Sequence, residues 1–152
     1  GRGNGSFVPS DNVTRSEFIK MTVLALNIQA SGKEPDFADV SVNNWDYGYI
    51  KTAYSAGIIT GISNTYFGAG ENISRQDMAV IISRALRSAG KETGGVSDEK
   101  FADDSAISDY SRDSVYALRK AGIMQGDSIG YFNPLKPANR AEAAKVIRSL
   151  LN

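Results

Sequence analysis

Apolar residues recur at the three- and four-residue spacing of an amphipathic helix in five stretches of the chain. This spacing predicts helices at about 15–28, 44–56, 75–89, 110–121 and 139–151. Each helix has one apolar face that we expect to be buried. In chain order, these faces are Phe18, Met21, Leu24 and Ala25; Trp45, Tyr49, Ile50 and Ala53; Met78, Ile81, Ile82 and Ala85; Val115, Leu118 and Ala121; and Ala143, Val146, Ile147 and Leu150. The pattern therefore predicts an all-α fold.

The helical pattern repeats along the chain. The segment G-I-I-T-G at 57–61 returns as G-I-M-Q-G at 122–126, an offset of 65 residues. The same offset relates Trp45 to Tyr110, Phe67 to Phe132, Arg75 to Arg140 and Asp77 to Glu142, and an offset of 60 relates Phe7, Arg15 and Glu17 to Phe67, Arg75 and Asp77. The chain thus contains half a helix-loop-helix unit (unit 1, 1–30) and two complete ones (unit 2, 35–90; unit 3, 99–152). One helix pair cannot bury its own apolar face, so we expect the units to pack into one compact domain.

Glycines and cap residues mark the predicted helix ends. Gly57 and Gly122 follow the leading helices of units 2 and 3, where a left-handed residue commonly ends a helix. The trailing helix of each unit begins after a cap residue, and an acidic residue follows three positions later. The caps are Thr14, Ser74 and Asn139, and the acids are Glu17, Asp77 and Glu142. This spacing predicts a capping box at the Thr and Ser copies, with the Asn copy a close variant, so we interpret the acids as caps rather than ligands.

Composition narrows the chemistry that the chain can support. It has no cysteine and no histidine, which excludes disulfides, thiolate nucleophiles, histidine triads and metal sites built from these residues. Its 17 basic residues balance 17 acidic ones without a basic stripe, so we expect no nucleic-acid partner. No apolar run approaches the roughly 20 residues that span a bilayer, so we expect no membrane span. Enzymes that use paired carboxylates are the main catalytic class left open.

Acidic residues concentrate near the start of unit 3 and raise the question of a calcium site. They are Asp98, Glu99, Asp103, Asp104, Asp109 and Asp113. Their spacing is not that of an EF-hand loop, and a solvated face or helix-start charges explain them more simply. We expect no obligate metal and no cofactor.

The ordered motifs of the three units resemble those of the S-layer homology family. The family pattern runs F-x-D, an aromatic residue before a helix, G-I-I-x-G, a loop aromatic and T-R-A-E. Unit 2 matches it with Phe37, Asp39, Trp45, G-I-I at 57–59, Gly61, Phe67 and S-R-Q-D at 74–77. Unit 3 matches it with Phe101, Asp103, Tyr110, G-I-M at 122–124, Gly126, Phe132 and N-R-A-E at 139–142. Unit 1 has only Phe7 and T-R-S-E at 14–17, and lacks the F-x-D segment and the leading helix.

The resemblance implies a fold, a location and a function. Members of the family commonly carry three such units, packed with pseudo-threefold symmetry, on extracellular proteins of the bacterial surface or S-layer. They attach their cargo to secondary cell-wall polysaccharide, typically bearing pyruvate ketals, through grooves between neighbouring units. On this basis we expect a non-catalytic anchoring module whose partner is a wall polysaccharide with carboxylate groups.

Candidate glycan-binding residues follow from the repeated motifs. Arg15, Arg75 and Arg140 begin the trailing helices, where free backbone N–H groups and the helix dipole favour an anion. A guanidinium there also matches the two oxygens of a carboxylate. The remaining candidates are Trp45 and Tyr110, which offer flat faces to a sugar, and Gly61 and Gly126, which would let the backbone approach the ligand.

Structural roles compete with these assignments. The arginines could pair with neighbouring carboxylates, Trp45 and Tyr110 could belong to the core, and the glycines could serve backbone geometry first. The phenylalanines of the motifs we assign to the core; they are Phe7, Phe37, Phe67, Phe101 and Phe132.

Two rival functions also remain open. The half unit leaves apolar surface uncovered, which upstream residues, trimming of the fragment or a second chain would explain. The last case describes a homo-oligomeric or mixed subunit of a surface array or filament. The other rival is a wall-glycan hydrolase that works with a carboxylate pair.

Overall fold

The computed structural model describes residues 8–151, and the regular elements in that range are helices joined by loops. Its α-helices are α1 (Arg15–Ala25), α2 (Tyr47–Ser55), α3 (Arg75–Ser88), α4 (Asp109–Lys120) and α5 (Arg140–Ser149), with a 3-10 turn at Asp104–Ala106. The all-α prediction is confirmed, and each predicted helix is present with ends that differ by at most three residues. The predicted core residue Phe7 lies outside the described residues.

The helices α1 and α5 begin with the reciprocal hydrogen bonds of a capping box. Thr14 Oγ1 accepts the N–H of Glu17 at 3.2 Å, and Glu17 Oε2 accepts the N–H of Thr14 at 3.0 Å. Asn139 and Glu142 form the same pair of bonds at 2.9 and 3.0 Å. These bonds satisfy backbone donors that a helix start otherwise leaves unpaired.

The box predicted at Ser74, before α3, is only half formed. Ser74 Oγ accepts the N–H of Asp77 at 3.2 Å, but the return bond from the Asp77 carboxylate is not made. Aspartate is one methylene shorter than glutamate, and Asp77 instead accepts bonds from Tyr110 Oη at 2.7 Å and Arg15 Nη1 at 3.4 Å. The prediction of a full capping box at this helix is wrong.

Glycine ends both leading helices as predicted. The φ angle is +72° at Gly57 and +71° at Gly122, the left-handed region that glycine enters without steric cost. In unit 2 the N–H of Ile58 then donates to Ala53 O at 2.8 Å, and unit 3 repeats this bond at 2.9 Å. These bonds close the last helical turn and send the chain into the loop.

The aspartate of each F-x-D motif accepts hydrogen bonds from the loop that follows the leading helix of its unit. Asp39 accepts three backbone N–H groups from residues 67–69, at 2.8 to 2.9 Å. Asp103 accepts two, from residues 132 and 133, at 2.8 and 2.7 Å. Burial opposes the charged form of Asp39, but the three N–H donors outweigh it and lower the pKa of this carboxyl.

Motif phenylalanines form the centre of each unit. Phe67 and Phe132 are fully buried, and the rings of Phe37 and Phe101 pack on them with centroids 5.8 and 5.1 Å apart. The assignment of these four residues to the core is confirmed. The leading helices complete the core, because α2 packs on α1 and α4 packs on α3. Each leading helix therefore lies against the trailing helix of the preceding unit.

Three residues that we assigned to buried helix faces are exposed instead. Leu24 is 60% exposed in the last turn of α1, and Ala121 is exposed where α4 has already ended. Trp45 is 59% exposed because α2 begins only at Tyr47, so Trp45 is out of register with the buried face of that helix. The prediction that Trp45 belongs to this face is wrong.

Contacts between units run through the starts of the trailing helices. The backbone N–H of each motif arginine donates to a carbonyl of a neighbouring unit. The pairs are Arg15 with Glu71, Arg75 with Lys136 and Arg140 with Asp11, at 2.8, 3.0 and 2.8 Å. They close a cycle from unit 1 to unit 2 to unit 3 and back, as a pseudo-threefold arrangement would require. The symmetry itself, and the unit limits 1–30, 35–90 and 99–152, stay predictions.

Candidate functional site

Two grooves open where consecutive units meet. Groove 1 has a volume of about 400 Å³ and is lined by Arg15 of unit 1, the glycine segment 58–62, Asp77 and Arg84 of unit 2, and Tyr110 of unit 3. Its walls therefore combine charged side chains with the apolar residues of the G-I-I-x-G segment.

Groove 2 occupies the equivalent place one unit later. It has a volume of about 240 Å³ and is lined by Arg75, the segment 123–127, Lys136, Glu142 and Lys145. The repeat offsets carry the arginine, the glycine segment and the acid of groove 1 onto those of groove 2. The motif residues thus come together at unit junctions.

Arg15 lies at the base of groove 1 with its side chain 9% exposed. Its Nε donates to Phe67 O at 3.0 Å, its Nη1 lies 3.4 Å from Asp77 Oδ2, and its guanidinium stacks 5.0 Å from the centre of the Phe67 ring. Burial lowers the pKa of Arg15, and Asp77 opposes that shift by favouring the charged form. Arg15 thus joins unit 1 to the core of unit 2.

Arg75 makes a fuller set of contacts in groove 2. Its Nε donates to Phe132 O at 2.7 Å, its Nη1 to Glu142 Oε1 at 2.9 Å and its Nη2 to Gln125 O at 2.9 Å. The side chain is 12% exposed and stacks 4.9 Å from the Phe132 ring centre. All three nitrogens of this guanidinium therefore already have protein acceptors.

Arg140 continues the cycle from unit 3 to unit 1. Its side chain is 14% exposed, and Nη1 lies 3.6 Å from Glu17 Oε1. Arg140 lines neither groove. The glycine segment that would face it falls at the amino end of the chain, outside the described residues.

The backbone N–H groups expected to receive an anion at the helix starts are already bonded. At α1, the N–H groups of residues 15, 16 and 17 donate to Glu71 O, Ala69 O and Thr14 Oγ1. The starts of α3 and α5 have the same three kinds of acceptor. The expectation of free N–H donors there is wrong, because the loop of the adjoining unit lies against each helix start.

Tyr110 forms one wall of groove 1. It is 60% exposed, its hydroxyl donates to Asp77 Oδ1 at 2.7 Å, and it accepts a bond from Gln76 Nε2 at 3.0 Å. Desolvation by its neighbours and then the bond to Asp77 raise the pKa of Tyr110 to about 12. Its ring therefore stays neutral and fixed at the groove edge over the physiological pH range.

Trp45 lines neither described groove. Lys20 Nζ lies 5.5 Å from the centre of the Trp45 ring and 5.3 Å from that of Tyr49, within the range of a cation–π contact. The structure thus places Trp45 on the surface beside α1, whereas its counterpart in the repeat, Tyr110, lines groove 1.

Gly61 and Gly126 line grooves 1 and 2, where they are needed for packing. A Cβ at Gly61 would lie 2.6 Å from Ser63 O and 2.7 Å from the Phe37 ring, and φ there is +83°. A Cβ at Gly126 would lie 3.1 Å from the Phe101 ring. Both glycines therefore let the F-x-D phenylalanine approach the loop closely.

Three cations that line the grooves do not belong to a repeated motif and were not among the predicted site residues. Arg84 in groove 1 and Lys145 in groove 2 have no hydrogen bond or ion pair with any residue between 8 and 151. Lys136 lies 3.9 Å from Glu142 Oε1. Helical spacing could have indicated the position of Arg84, because this residue lies one turn after Ile81 on the same face of α3.

Two of the acidic residues at the start of unit 3, Asp104 and Glu99, pair closely with arginines. Asp104 pairs with Arg112 and accepts the hydroxyl of Tyr116 at 2.6 Å, and Glu99 lies 2.8 Å from Arg119 Nη2. Across residues 8–151, no group of three or more acidic side chains is placed to hold a metal ion. No helix of that part is long and apolar enough to cross a bilayer.

Comparison with known proteins gives one family and a set of long relatives. The chain is 37% identical over 147 residues to an endoglucanase of Bacillus sp. (strain KSM-635), covering 96% of this chain and 15% of that protein. It is 36% identical over 154 residues to exoglucanase XynX of Acetivibrio thermocellus, covering 99% of this chain and 14% of the relative. It is 32% identical over 125 residues to S-layer protein EA1 of Bacillus anthracis, covering 82% and 14%.

The chain therefore spans less than a sixth of the length of these relatives. The family model for the S-layer homology domain matches residues 1–19, 36–79 and 100–144, more than two thirds of the chain. The matched segments follow the half unit and the two complete units that the repeat predicts. The chain belongs to the S-layer homology domain family.

Proposed function

We propose that the chain is a non-catalytic anchoring module that retains a larger protein at the bacterial cell wall by binding an anionic, pyruvylated wall polysaccharide. The observation that carries the proposal is the pair of equivalent grooves at the unit junctions. Each presents cationic side chains beside a glycine segment, which is 58–62 in groove 1 and 123–127 in groove 2. Such a surface matches a carboxylate on a sugar ring.

The names and lengths of the relatives support an anchoring role. The same region recurs in two relatives named as glucanases and in one named as an S-layer protein, and it is about one seventh of each. A region that occurs in proteins with such different names must supply a property that all of these proteins can share. Attachment to the cell surface is such a property, whereas one catalytic activity is not.

Charge supports an anionic ligand in both grooves. Groove 1 contains Arg15 and Arg84 against Asp77. Groove 2 contains three cationic residues against two acids; they are Arg75, Lys136 and Lys145, and Asp127 and Glu142. Each groove thus has an excess of one positive charge, although the chain as a whole is neutral.

Shape supports a ligand of sugar size. The volume of groove 1, about 400 Å³, falls in the range of small-molecule sites, roughly 300–1,000 Å³. The ring of Tyr110 and the side chain of Ile62 provide apolar wall against which sugar C–H groups can pack. Groove 2 is smaller and has no aromatic wall, so we expect it to bind a shorter part of the glycan.

The test is a pull-down of the chain with purified wall polysaccharide, before and after mild acid removes the ketals. We expect saturable binding that falls after acid treatment, because the carboxylates leave with the ketals. Dextran beads provide a neutral-glycan control. Equal binding to the intact and the acid-treated polysaccharide would refute the anionic specificity, and no binding to either would refute the anchoring proposal.

The hydrolase alternative is tested with the same polysaccharide. Reducing sugar released over several hours in proportion to the chain concentration would support hydrolysis. Binding without release of sugar would support anchoring. We expect the second result, because the repeated acids already have structural partners. Glu17 and Glu142 belong to capping boxes, and Asp77 and Glu142 pair with motif arginines.

A further inference from the structure

We propose that Arg84 in groove 1 and Lys145 in groove 2, rather than the motif arginines, make the charge contact with the glycan carboxylate. The inference rests on the proposed function, because it assigns the residues that read the charge of that ligand. Both residues lie outside the repeated motif.

The motif arginines Arg15 and Arg75 already donate hydrogen bonds to acceptors within the protein. Arg75 donates from all three of its nitrogens to Phe132 O, Glu142 and Gln125 O. Arg15 donates to Phe67 O and Asp77 and is 9% exposed at its side chain. A carboxylate that displaced these acceptors would have to break contacts that hold neighbouring units together, so these arginines are poor primary ligands.

Arg84 is free to bind in groove 1. It lies on α3 two turns after Asp77, lines the groove, and pairs with no group between residues 8 and 151. A long side chain on a rigid helix can reach a ligand while its charged end stays solvated until binding. Its planar guanidinium also offers two parallel donors to a carboxylate.

Lys145 has the same role in groove 2. It projects from α5, is exposed, and has no ion pair with the rest of the described chain. Lys136, the other lysine of this groove, is 3.9 Å from Glu142 and is therefore partly neutralised. Among residues 8–151, Lys145 is therefore the cation of groove 2 that has no ion-pair partner.

The two cations occupy different positions of the repeat. Lys145 corresponds to Lys20 in unit 1 and to Val80 in unit 2. Arg84 lies one turn beyond Val80, on the same face of α3, and its counterparts are Leu24 and Ser149. Each trailing helix thus has a cation at one of these two positions, and unit 2 places it one turn further along. This difference predicts that the carboxylate binds further along the helix in groove 1.

The experiment measures binding of the full chain to short fragments of purified ketal-bearing wall polysaccharide by titration calorimetry. The variants are Arg84→Leu, which copies the residue of unit 1, Lys145→Val, which copies the residue of unit 2, and the double variant. Arg87→Leu and Arg148→Leu are controls, because these exposed cations lie on the same helices but line neither groove.

We expect the double variant to bind about tenfold or more weakly than the double control, since each change removes one charge-assisted contact. Arg84→Lys keeps the charge but loses the two parallel donors, so it should bind more weakly than the wild type and more tightly than Arg84→Leu. Acid-treated fragments should bind wild type and double variant equally. A loss of less than about threefold in the double variant would overturn the inference.

The design separates the two proposals. If the wild type binds the ketal-bearing fragments and the double variant binds them as well as its control, only the assignment of Arg84 and Lys145 fails. If the wild type binds no fragment, the proposed function fails and the inference fails with it. Circular dichroism of every variant confirms that the helices are intact before binding is compared.

Discussion

At Arg75, one guanidinium contacts three separate parts of the next unit: the loop carbonyl of Phe132, the capping acid Glu142 and the carbonyl of Gln125. The partners lie 50 to 67 residues away in the sequence. Burial of a charge is costly unless its donors are paired, and these contacts supply the pairing. The arginine repeated in each unit is thus explained by inter-unit packing, whatever it contributes to a ligand.

Replacing Arg75 by lysine should therefore lower stability. Lysine keeps the charge but cannot donate in three fixed directions, so it leaves at least one acceptor of the unit junction without its arginine donor. We expect the free energy of unfolding, measured in urea, to fall by about 2 kcal/mol. Arg87→Lys, at an exposed position of the same helix, should change it little. Equal unfolding midpoints for the two variants would contradict the role given to Arg75.

The contacts of the Asp39 carboxylate lead to a second prediction at the scale of single residues. It accepts three backbone N–H groups, which outweigh desolvation and lower its pKa in the folded state. A lowered folded-state pKa means that the stabilisation is fully present above the unfolded value of about 3.9. It is lost as the pH falls through the lower, folded-state value.

Asp39→Asn should therefore cost about 2 kcal/mol of unfolding free energy at pH 7, because one amide oxygen cannot replace both carboxylate oxygens. The difference from wild type should shrink at pH 3 and below. Urea unfolding at both pH values measures it, with the exposed residue Asp113→Asn as control. A difference that stays constant with pH would show that the carboxylate charge has no part in the contact.

At the scale of elements, the loop after each leading helix is the part of the fold most constrained by packing. Gly61 and Gly126 occupy equivalent positions in two copies of this loop, but their surroundings differ. At Gly61 a Cβ would clash at 2.6 and 2.7 Å, and φ is +83°. At Gly126 the closest approach would be 3.1 Å, and φ lies outside the left-handed region.

Alanine at these two glycines should accordingly have unequal effects. Gly61→Ala combines left-handed strain with overpacking, and we expect a loss of about 3 kcal/mol. Gly126→Ala has only the milder contact, partly offset by reduced freedom of the unfolded chain, so we expect about 1 kcal/mol. Thermal and urea unfolding of the matched pair measures both. If Gly61→Ala lost no more unfolding free energy than Gly126→Ala, the loop at Gly61 would relax more easily than its contacts indicate.

Local patterns explain which elements could be predicted from the sequence. Helix positions, the glycine ends and the caps depend on residues within one or two turns, so five helices and two capping boxes follow from spacing. Trp45 was misplaced because α2 starts late, where buried Asp46 accepts the hydroxyl of Ser16 at 2.6 Å. That contact joins residues 30 positions apart and has no local pattern.

The candidate site could be predicted only in part, for the same reason. Repetition identifies the arginines, the glycine segments and the acids that meet at the unit junctions. Repetition does not reveal that the N–H groups at the helix starts donate to carbonyls of an adjoining loop. These acceptors belong to residues far along the chain, such as Glu71 and Lys136. Arg84 and Lys145, which have no ion-pair partner among residues 8–151, vary between the units, so the repeated pattern does not point to them.

At the scale of the whole molecule, the contacts between units form a closed cycle. The motif arginine of unit 1 bonds to unit 2, that of unit 2 to unit 3, and Arg140 of unit 3 lies 3.6 Å from Glu17 of unit 1. Each leading helix also packs on the trailing helix of the unit before it. In an open array each unit depends only on its neighbours, whereas a closed cycle links the two ends of the array.

We therefore expect the chain to unfold in one cooperative step rather than unit by unit. The single tryptophan, Trp45, lies beside Lys20 of α1, so its emission reports the junction of units 1 and 2, while far-UV circular dichroism reports all the helices. The two signals should give the same urea midpoint. Arg140→Lys, a change in unit 3, should shift both midpoints equally, because it weakens the contact that closes the cycle. A tryptophan transition that stays unchanged while the helical signal shifts would mean that unit 3 unfolds independently and that the cycle does not couple the units.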